Sequence, residues 1–223
     1  MKKFFYKSSV LALMAGVFLT SCDPEIDVAS PSAGDLNLTR YVAVGNSLTA
    51  GFADGGLYRS GQLNSYPAIM AEQFMAVGGG EFVQPLFTDA QRNGSGYLRL
   101  TGFDAAGLPI LTPVTTELAV RGMGQDTKTL LYTKFSGQAQ NLGVPGIRMS
   151  DVTTPGYGWN NPLGFNPYYE RLLPDAPVPP ASGALTPYVK TVEASNPTFF
   201  TMWLGNNDVL GYATSGGLGS ITA

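Results

Sequence analysis

Three polar turns follow apolar runs in this sequence, and the first of them contains a candidate nucleophile. Ser47 stands in GNSLTAG, with only Gly45 and Asn46 between it and the apolar run at residues 41–44. A serine hydroxyl held at the end of a strand can attack a carbonyl carbon, but a serine in a glycine-rich turn is more often only a turn former. The other two turns are NLGVPG, residues 141–146, and GNND, residues 205–208. Taken singly, both are ordinary turn or capping sequences.

The predicted secondary structure places each of these turns directly after a strand. Residues 41–44 form a short β-branched and aromatic run, a second strand is predicted to end in AQNLGVPG, and TFFTMWL at residues 198–204 is apolar on both faces. Helices or long excursions separate these runs, which indicates a parallel α/β sheet. Reactive groups in such sheets lie beyond the carboxyl ends of the strands. We therefore expect the three turns to converge.

The segments between the strands are predicted to contain helices and a hairpin. Apolar spacing predicts a helix over residues 66–77, and residues 186–194 read as a second helix with Thr186 as N-cap and Pro187 as first residue. YLRLTGFDAAGLPIL alternates on both sides of a glycine-containing turn, which predicts an inserted hairpin. The proline-rich stretch at residues 155–187 is predicted to lack regular structure before that second helix.

The three turns together resemble the sequence blocks of the SGNH/GDSL hydrolases. Gly45-Asn46-Ser47-Leu48 stands where that family has G-D-S-L, with Asn46 in place of the aspartate. Residues 141–146 resemble the second block, an asparagine followed five residues later by a glycine, and residues 205–208 match the G-x-N-D block. The resemblance spans residues 41–212, although long inserts separate the blocks. It implies a three-layer, flavodoxin-like α/β fold with a parallel sheet and a hairpin or loop insertion.

The resemblance also implies roles in the hydrolysis of an ester. Ser47 Oγ would attack the carbonyl, and the oxyanion would be held by the Ser47 backbone N–H, the Gly146 N–H and the Asn207 side-chain amide. Asp208 is expected to orient or cap rather than to act as a catalytic acid. The substrate would be a small-molecule or glycan-linked ester, and no cofactor is implied.

The general base that a serine nucleophile requires is missing from the sequence. The family takes this base from a D-x-x-H block near the C-terminus, whereas these 223 residues contain no histidine. Lysine replaces histidine in some hydrolases, but Lys128, Lys134 and Lys190 do not lie beside a strand-end turn. We expect a domain that is incomplete at its C-terminus, with three strands where the family has about five. Residues 22–223 alone are then expected to be marginally stable and inactive toward esters, with the third strand exposed at an open edge.

The N-terminus predicts export and lipid attachment. Residues 1–21 combine a lysine-rich start with a short apolar region too short to span a bilayer, and LTSC resembles a bacterial lipobox. Cys22 is the only cysteine and is the predicted site of acylation. Residues 22–38 are predicted to form a flexible tether, and residues 39–223 the N-terminal part of a hydrolase domain. This organisation resembles envelope lipoproteins of Bacteroidetes-type bacteria, anchored at the outer membrane or cell surface.

Composition excludes several other classes of function. The formal net charge is −3, and removal of the leader takes away three lysines and no acidic residue. An acidic body without a basic run argues against binding to nucleic acid. The lack of histidine, together with acylation of the one cysteine, leaves no support for a metal site.

A non-catalytic lipoprotein that binds glycans is the alternative interpretation. The proline-rich stretch contains aromatic residues that would stack on sugar rings if they formed one platform: Trp159, Phe165, Tyr168 and Tyr169. Packing of these side chains over the core is the preferred interpretation. The sequence does not specify the ester.

Overall fold

The computed structural model describes residues 30–175 and 185–218. The predicted signal peptide, Cys22 and the first part of the predicted tether lie outside these residues. Every described element lies in one contact unit, Ser32–Ala223. The strands are β1 (Tyr41–Gly45), β2 (Tyr97–Phe103), β3 (Pro109–Val114), β4 (Val120–Met123), β5 (Leu130–Tyr132), β6 (Asn141–Gly143) and β7 (Phe199–Trp203). The α-helices are α1 (Ser47–Ala50), α2 (Arg59–Leu63), α3 (Tyr66–Met75), α4 (Pro167–Glu170), α5 (Tyr188–Ala194) and α6 (Asn206–Thr214).

A parallel sheet of three strands forms the centre of the fold, which confirms the predicted α/β class. Its order is β6-β1-β7, and β1 is buried along its whole length. The register aligns Gly45 with both Gly143 and Trp203, so the three strands end at the same level. The chain segments that follow the three strands therefore all begin at the same edge of the sheet.

Two antiparallel pairs lie outside this sheet. β2 pairs with β3 and β4 pairs with β5, so the hairpin predicted from the alternating sequence is confirmed. Asp104 closes the turn between β2 and β3 by accepting hydrogen bonds from the backbone N–H groups of Ala106 and Leu108 at 2.8 and 2.9 Å. Most side chains of the hairpin are exposed, which fits an insertion rather than a part of the core.

The helices differ from the predictions at their boundaries. α3 ends at Met75 rather than at residue 77. α5 begins at Tyr188, with Pro187 in the N-cap position, so the assignment of Thr186 as N-cap was wrong. The described part of the proline-rich stretch, which was predicted to lack regular structure, contains the short helix α4, because the Asn166 side chain accepts hydrogen bonds from the first N–H groups of the helix and Pro167 fixes its start. α6 was not predicted.

Tyrosine side chains hold the centre of the core together. Tyr188 of α5 is fully buried, and its hydroxyl donates to Leu142 O at 2.6 Å while accepting from Gly45 N–H at 3.1 Å. One phenol therefore links the ends of β1 and β6. Tyr169 of α4 packs against it with ring centroids 5.6 Å apart.

β7 occupies an edge of the sheet within the described residues, as the open-edge prediction requires. Phe200, Met202 and Trp203 are 57%, 62% and 48% exposed. The apolar faces that indicated a strand buried on both sides are therefore partly uncovered. α6, which follows β7, has no buried residue.

Raising the pH above about 10 is expected to unfold the protein, because buried phenols must ionise in the unfolded chain. Burial raises the pKa of Tyr41 to about 12 and also raises the pKa values of Tyr132, Tyr169 and Tyr188. The unfolded state releases these protons first, so each group lowers the free energy of unfolding by about 1.4 kcal/mol per pH unit above about pH 10. Arg171 acts in the opposite direction, because burial lowers its pKa to about 10.

Circular dichroism and tyrosinate absorbance recorded against pH will test this expectation. The two signals should change together, and Tyr41→Phe should make the loss of stability with pH less steep. Complete ionisation of the tyrosines near pH 10 with the circular dichroism unchanged would contradict it.

Candidate functional site

Ser47 lies at the start of α1, directly beyond the buried strand β1. Asn46 is the N-cap, and its side-chain oxygen accepts from Leu48 N–H at 3.1 Å. Ser47 is partly exposed. Among the described residues, neither its hydroxyl nor its backbone N–H has a hydrogen-bond partner. Both groups are therefore available to a substrate.

Glycines in the sheet let α1 approach the ends of the strands closely. A Cβ at Gly143 would lie 2.2 Å from Ala50 N and 2.6 Å from Ala50 Cα. Asn141 fixes the same contact, because its side-chain amide donates to Thr49 O at 2.9 Å. The asparagine and the glycine of β6 therefore position the helix that carries Ser47.

Gly146 lies in the second turn, at the same edge of the sheet. Its φ of +85° is a conformation that favours glycine. Asn166 stabilises this turn by donating from its amide to Pro145 O at 2.9 Å. Gly146 is exposed, and its N–H has no partner among the described residues.

The third turn joins the second through two neighbouring side chains. The Asn207 amide nitrogen donates to Ile147 O at 2.8 Å, which uses one of its two hydrogens. The Asp208 carboxylate accepts from Met149 N–H at 2.9 and 3.1 Å. Asp208 therefore caps the turn Met149–Asp151, in line with the expected orienting or capping role.

A hydrogen bond between two asparagine side chains joins the first turn to the third. The Asn46 amide nitrogen donates to the side-chain oxygen of Asn206, and Asn46 N–H donates to Trp203 O at 3.2 Å. The Asn46 side chain thus accepts a hydrogen bond from α1 and donates another to Asn206. An aspartate at this position has no N–H to donate, so the Asn206 amide would have to turn and act as the donor. The sequence did not predict this hydrogen bond between Asn46 and Asn206. Neither residue was given a role of its own there, because attention went to the neighbouring Ser47 and Asn207.

The three segments predicted as turns therefore meet at one edge of the sheet. Their assignment as turns was wrong in part, because residues 141–143 are strand β6 itself and residues 206–208 begin α6. Val144 N–H donates to Gly45 O at 2.8 Å, which completes the links between the first and second turns. Two backbone N–H groups without a partner among the described residues, those of Ser47 and Gly146, and the Asn207 carboxamide lie on these linked segments. This set of donors is suited to a developing oxyanion.

Among the described residues, the lysines considered as substitutes for histidine make no hydrogen bond to Ser47. Lys134 binds the Glu170 carboxylate at 2.6 Å, and Lys190 pairs with Glu193 at 2.7 Å. Lys128 lies in the loop between β4 and β5, beside Asp126. Nothing in the described residues therefore supplies a base to the serine hydroxyl.

The four aromatic residues proposed as a glycan platform are divided by the fold. Tyr169 is fully buried, and Tyr168 stacks on Tyr132 with ring centroids 5.2 Å apart. Packing is therefore confirmed for these two residues, and a platform of all four was wrong. Trp159 and Phe165 instead line an open groove of about 610 Å³, here called the Trp159 groove.

Within residues 30–175 and 185–218, no group of acidic side chains could hold a metal ion. The helices of this part of the chain lack the length and apolar character needed to cross a membrane.

Comparison of the chain with family models, curated proteins and solved structures found no match.

Proposed function

We propose that this chain carries the nucleophile and the oxyanion donors of an ester hydrolase of the SGNH type on a flavodoxin-like fold. The observation that carries the proposal is that the Ser47 and Gly146 N–H groups have no partner in the part of the chain that the structure describes, while their turns are linked to that of Asn207. A buried strand, a glycine-dependent close approach and an asparagine bridge fix the position of Ser47. Fixed donors of this kind stabilise a transition state without reorganisation.

The reaction would proceed through an acyl-enzyme. Ser47 Oγ bonds to the ester carbonyl carbon, its proton passes to a base, and the carbonyl oxygen takes the negative charge. When the intermediate collapses, the bond to the alcohol oxygen breaks and the base returns the proton to the leaving alkoxide. Water then repeats the sequence on the acyl-serine. Residues 1–223 contain no histidine, and we propose that the base is supplied from outside them.

Lipid attachment at Cys22 is part of the proposal. A lipid anchor would hold the domain at the cell envelope without any transmembrane helix.

Imidazole added to the purified chain tests the proposed chemistry, because it supplies the missing base. Hydrolysis of p-nitrophenyl acetate is expected to contain a component that depends on both imidazole and Ser47, and that rises with the fraction of neutral imidazole. Ser47→Ala measures the reaction of free imidazole and is subtracted. Equal rates for the parent chain and Ser47→Ala at every imidazole concentration would end the hydrolase interpretation.

Glycan binding without catalysis remains the second candidate, and the Trp159 groove favours it. Trp159 and Phe165 line this groove together with Tyr157 and the polar side chains of Arg148 and Asn161. An open aromatic groove with a few polar groups is suited to a sugar ring. Fluorescence of Trp159 distinguishes ligand binding in the Trp159 groove from ligand binding beside Ser47.

A further inference from the structure

A second groove lies beside the turn that carries the candidate nucleophile. It is lined by Leu48, Phe52, Tyr58, Tyr66 and Trp203 and has a volume of about 460 Å³, and we call it the Trp203 groove. Small-molecule sites typically enclose about 300–1,000 Å³. Leu48 directly follows Ser47 in the chain and is 47% exposed. A ligand in this groove would therefore lie next to the serine turn.

The walls of the Trp203 groove are fixed to the same elements that position Ser47. The Tyr66 hydroxyl lies 3.1 Å from Thr49 Oγ1 on α1, and the Tyr66 and Trp203 rings have centroids 5.6 Å apart. Trp203 is the last residue of β7, and its carbonyl accepts from Asn46 N–H. The groove and the serine turn are consequently connected by direct contacts.

The lining selects for uncharged, apolar groups. None of the described residues that line this groove is an acid, a lysine or an arginine. The Tyr58 hydroxyl donates to the nearby Asp54 carboxylate at 2.7 Å. A charged ligand group would lose part of its hydration here without gaining a charged partner, because the polar side chains of this lining are neutral: Tyr58, Ser60, Asn64, Ser65 and Tyr66. An aromatic ring or alkyl group would contact the Leu48, Phe52 and Trp203 side chains.

We propose that the Trp203 groove binds the apolar substituent of a neutral ester whose carbonyl lies at Ser47. This inference rests on the proposed hydrolase function and specifies its substrate class. Esters with an aromatic or branched alkyl group are favoured over small esters. Phosphate esters and esters that carry a carboxylate are disfavoured.

The chain contains two tryptophans, one in each groove, so fluorescence reports on each groove separately. Trp159→Phe leaves Trp203 as the sole indole, and Trp203→Phe leaves Trp159. Benzyl acetate is expected to shift the emission of Trp203 saturably to shorter wavelength by displacing water, and methyl acetate to have no effect. The emission of Trp159 should not respond to either ester.

Two exposed leucines provide a matched pair of variants. Leu48→Ala in the Trp159→Phe background should raise the Kd for benzyl acetate by about fivefold to tenfold through loss of apolar contact. Leu63→Ala should leave it unchanged, because Leu63 is similarly exposed, at 45%, but does not line the groove. An equal response to both esters, a response at Trp159 alone, or an equal effect of the two leucine variants would overturn the proposal.

The experiment separates failure of the groove from failure of the hydrolase function. Selective binding at Trp203 without any Ser47-dependent hydrolysis would reject the enzyme and leave a ligand site. Ser47-dependent hydrolysis that shows no preference for benzyl acetate over methyl acetate would reject the groove and leave the enzyme. Oligosaccharides that alter only the emission of Trp159 would support the second candidate function.

Discussion

Gly143→Ala is expected to lower the free energy of unfolding by at least about 3 kcal/mol, at the upper end of the cost of overpacking a core. The added methyl carbon would lie 2.2 Å from Ala50 N and 2.6 Å from Thr49 C. These are backbone atoms, so no side-chain rotation relieves the overlap. Either α1 moves away from the sheet or β6 separates from β1, and both changes displace Ser47.

Urea unfolding followed by circular dichroism will measure the effect, with Gly122→Ala as the matched control. Gly122 also lies in a strand, but a Cβ there would meet no atom within 4 Å. Its replacement should change the free energy of unfolding by less than about 1 kcal/mol. Similar midpoints for the two variants would show that α1 does not pack against β6 as closely as described.

Asn207→Ala is expected to reduce the imidazole-dependent rate by about 10²- to 10³-fold, the usual cost of removing one oxyanion donor. The alanine has no N–H to direct at the substrate oxygen. It also loses the hydrogen bond to Ile147 O, so the urea midpoint has to be measured alongside the rate. Asn207→Asp should be no more active than Asn207→Ala, because a carboxylate repels the developing negative charge.

The neighbouring residue supplies the control for position. Asp208→Asn retains an acceptor for Met149 N–H and removes only the charge, so its rate should fall by less than about tenfold if Asp208 acts only as a cap. A loss at Asp208 that equals the loss at Asn207 would mean that both variants act by disturbing the turn. The assignment of Asn207 as an oxyanion donor would then fail.

The central sheet could be predicted because its signals are local. The uninterrupted apolar runs in β1 and β7 identified two strands, and Gly45 marked the end of β1. The second strand was predicted near its observed place, but Asn141 begins β6 and does not interrupt it. Parallel pairing followed from the helices and long excursions between the runs. That the three turns meet at one edge followed from the common direction of the strands, and the register confirms it.

Helix boundaries and the roles of the aromatic residues depended on contacts that the sequence does not specify. Thr186 and Pro187 form a typical helix start, yet α5 begins at Tyr188, whose phenol bridges β1 and β6. Tyr168 and Trp159 lie in the same proline-rich stretch. Tyr168 packs against Tyr132, whereas Trp159 lines a groove.

The sequence by itself determined the order of strand, serine turn and asparagine turn, since β-branched runs, glycines and capping residues act within a few positions of one another. Only the tertiary structure decided which polar groups remain free. Asn46 binds Asn206, and Asn207 binds Ile147 O across about 60 residues of chain, whereas the N–H groups of Ser47 and Gly146 have no partner among the described residues. A hydrogen-bonding group is satisfied by whatever the fold brings within about 3 Å of it, and that distance is set by packing rather than by position in the sequence.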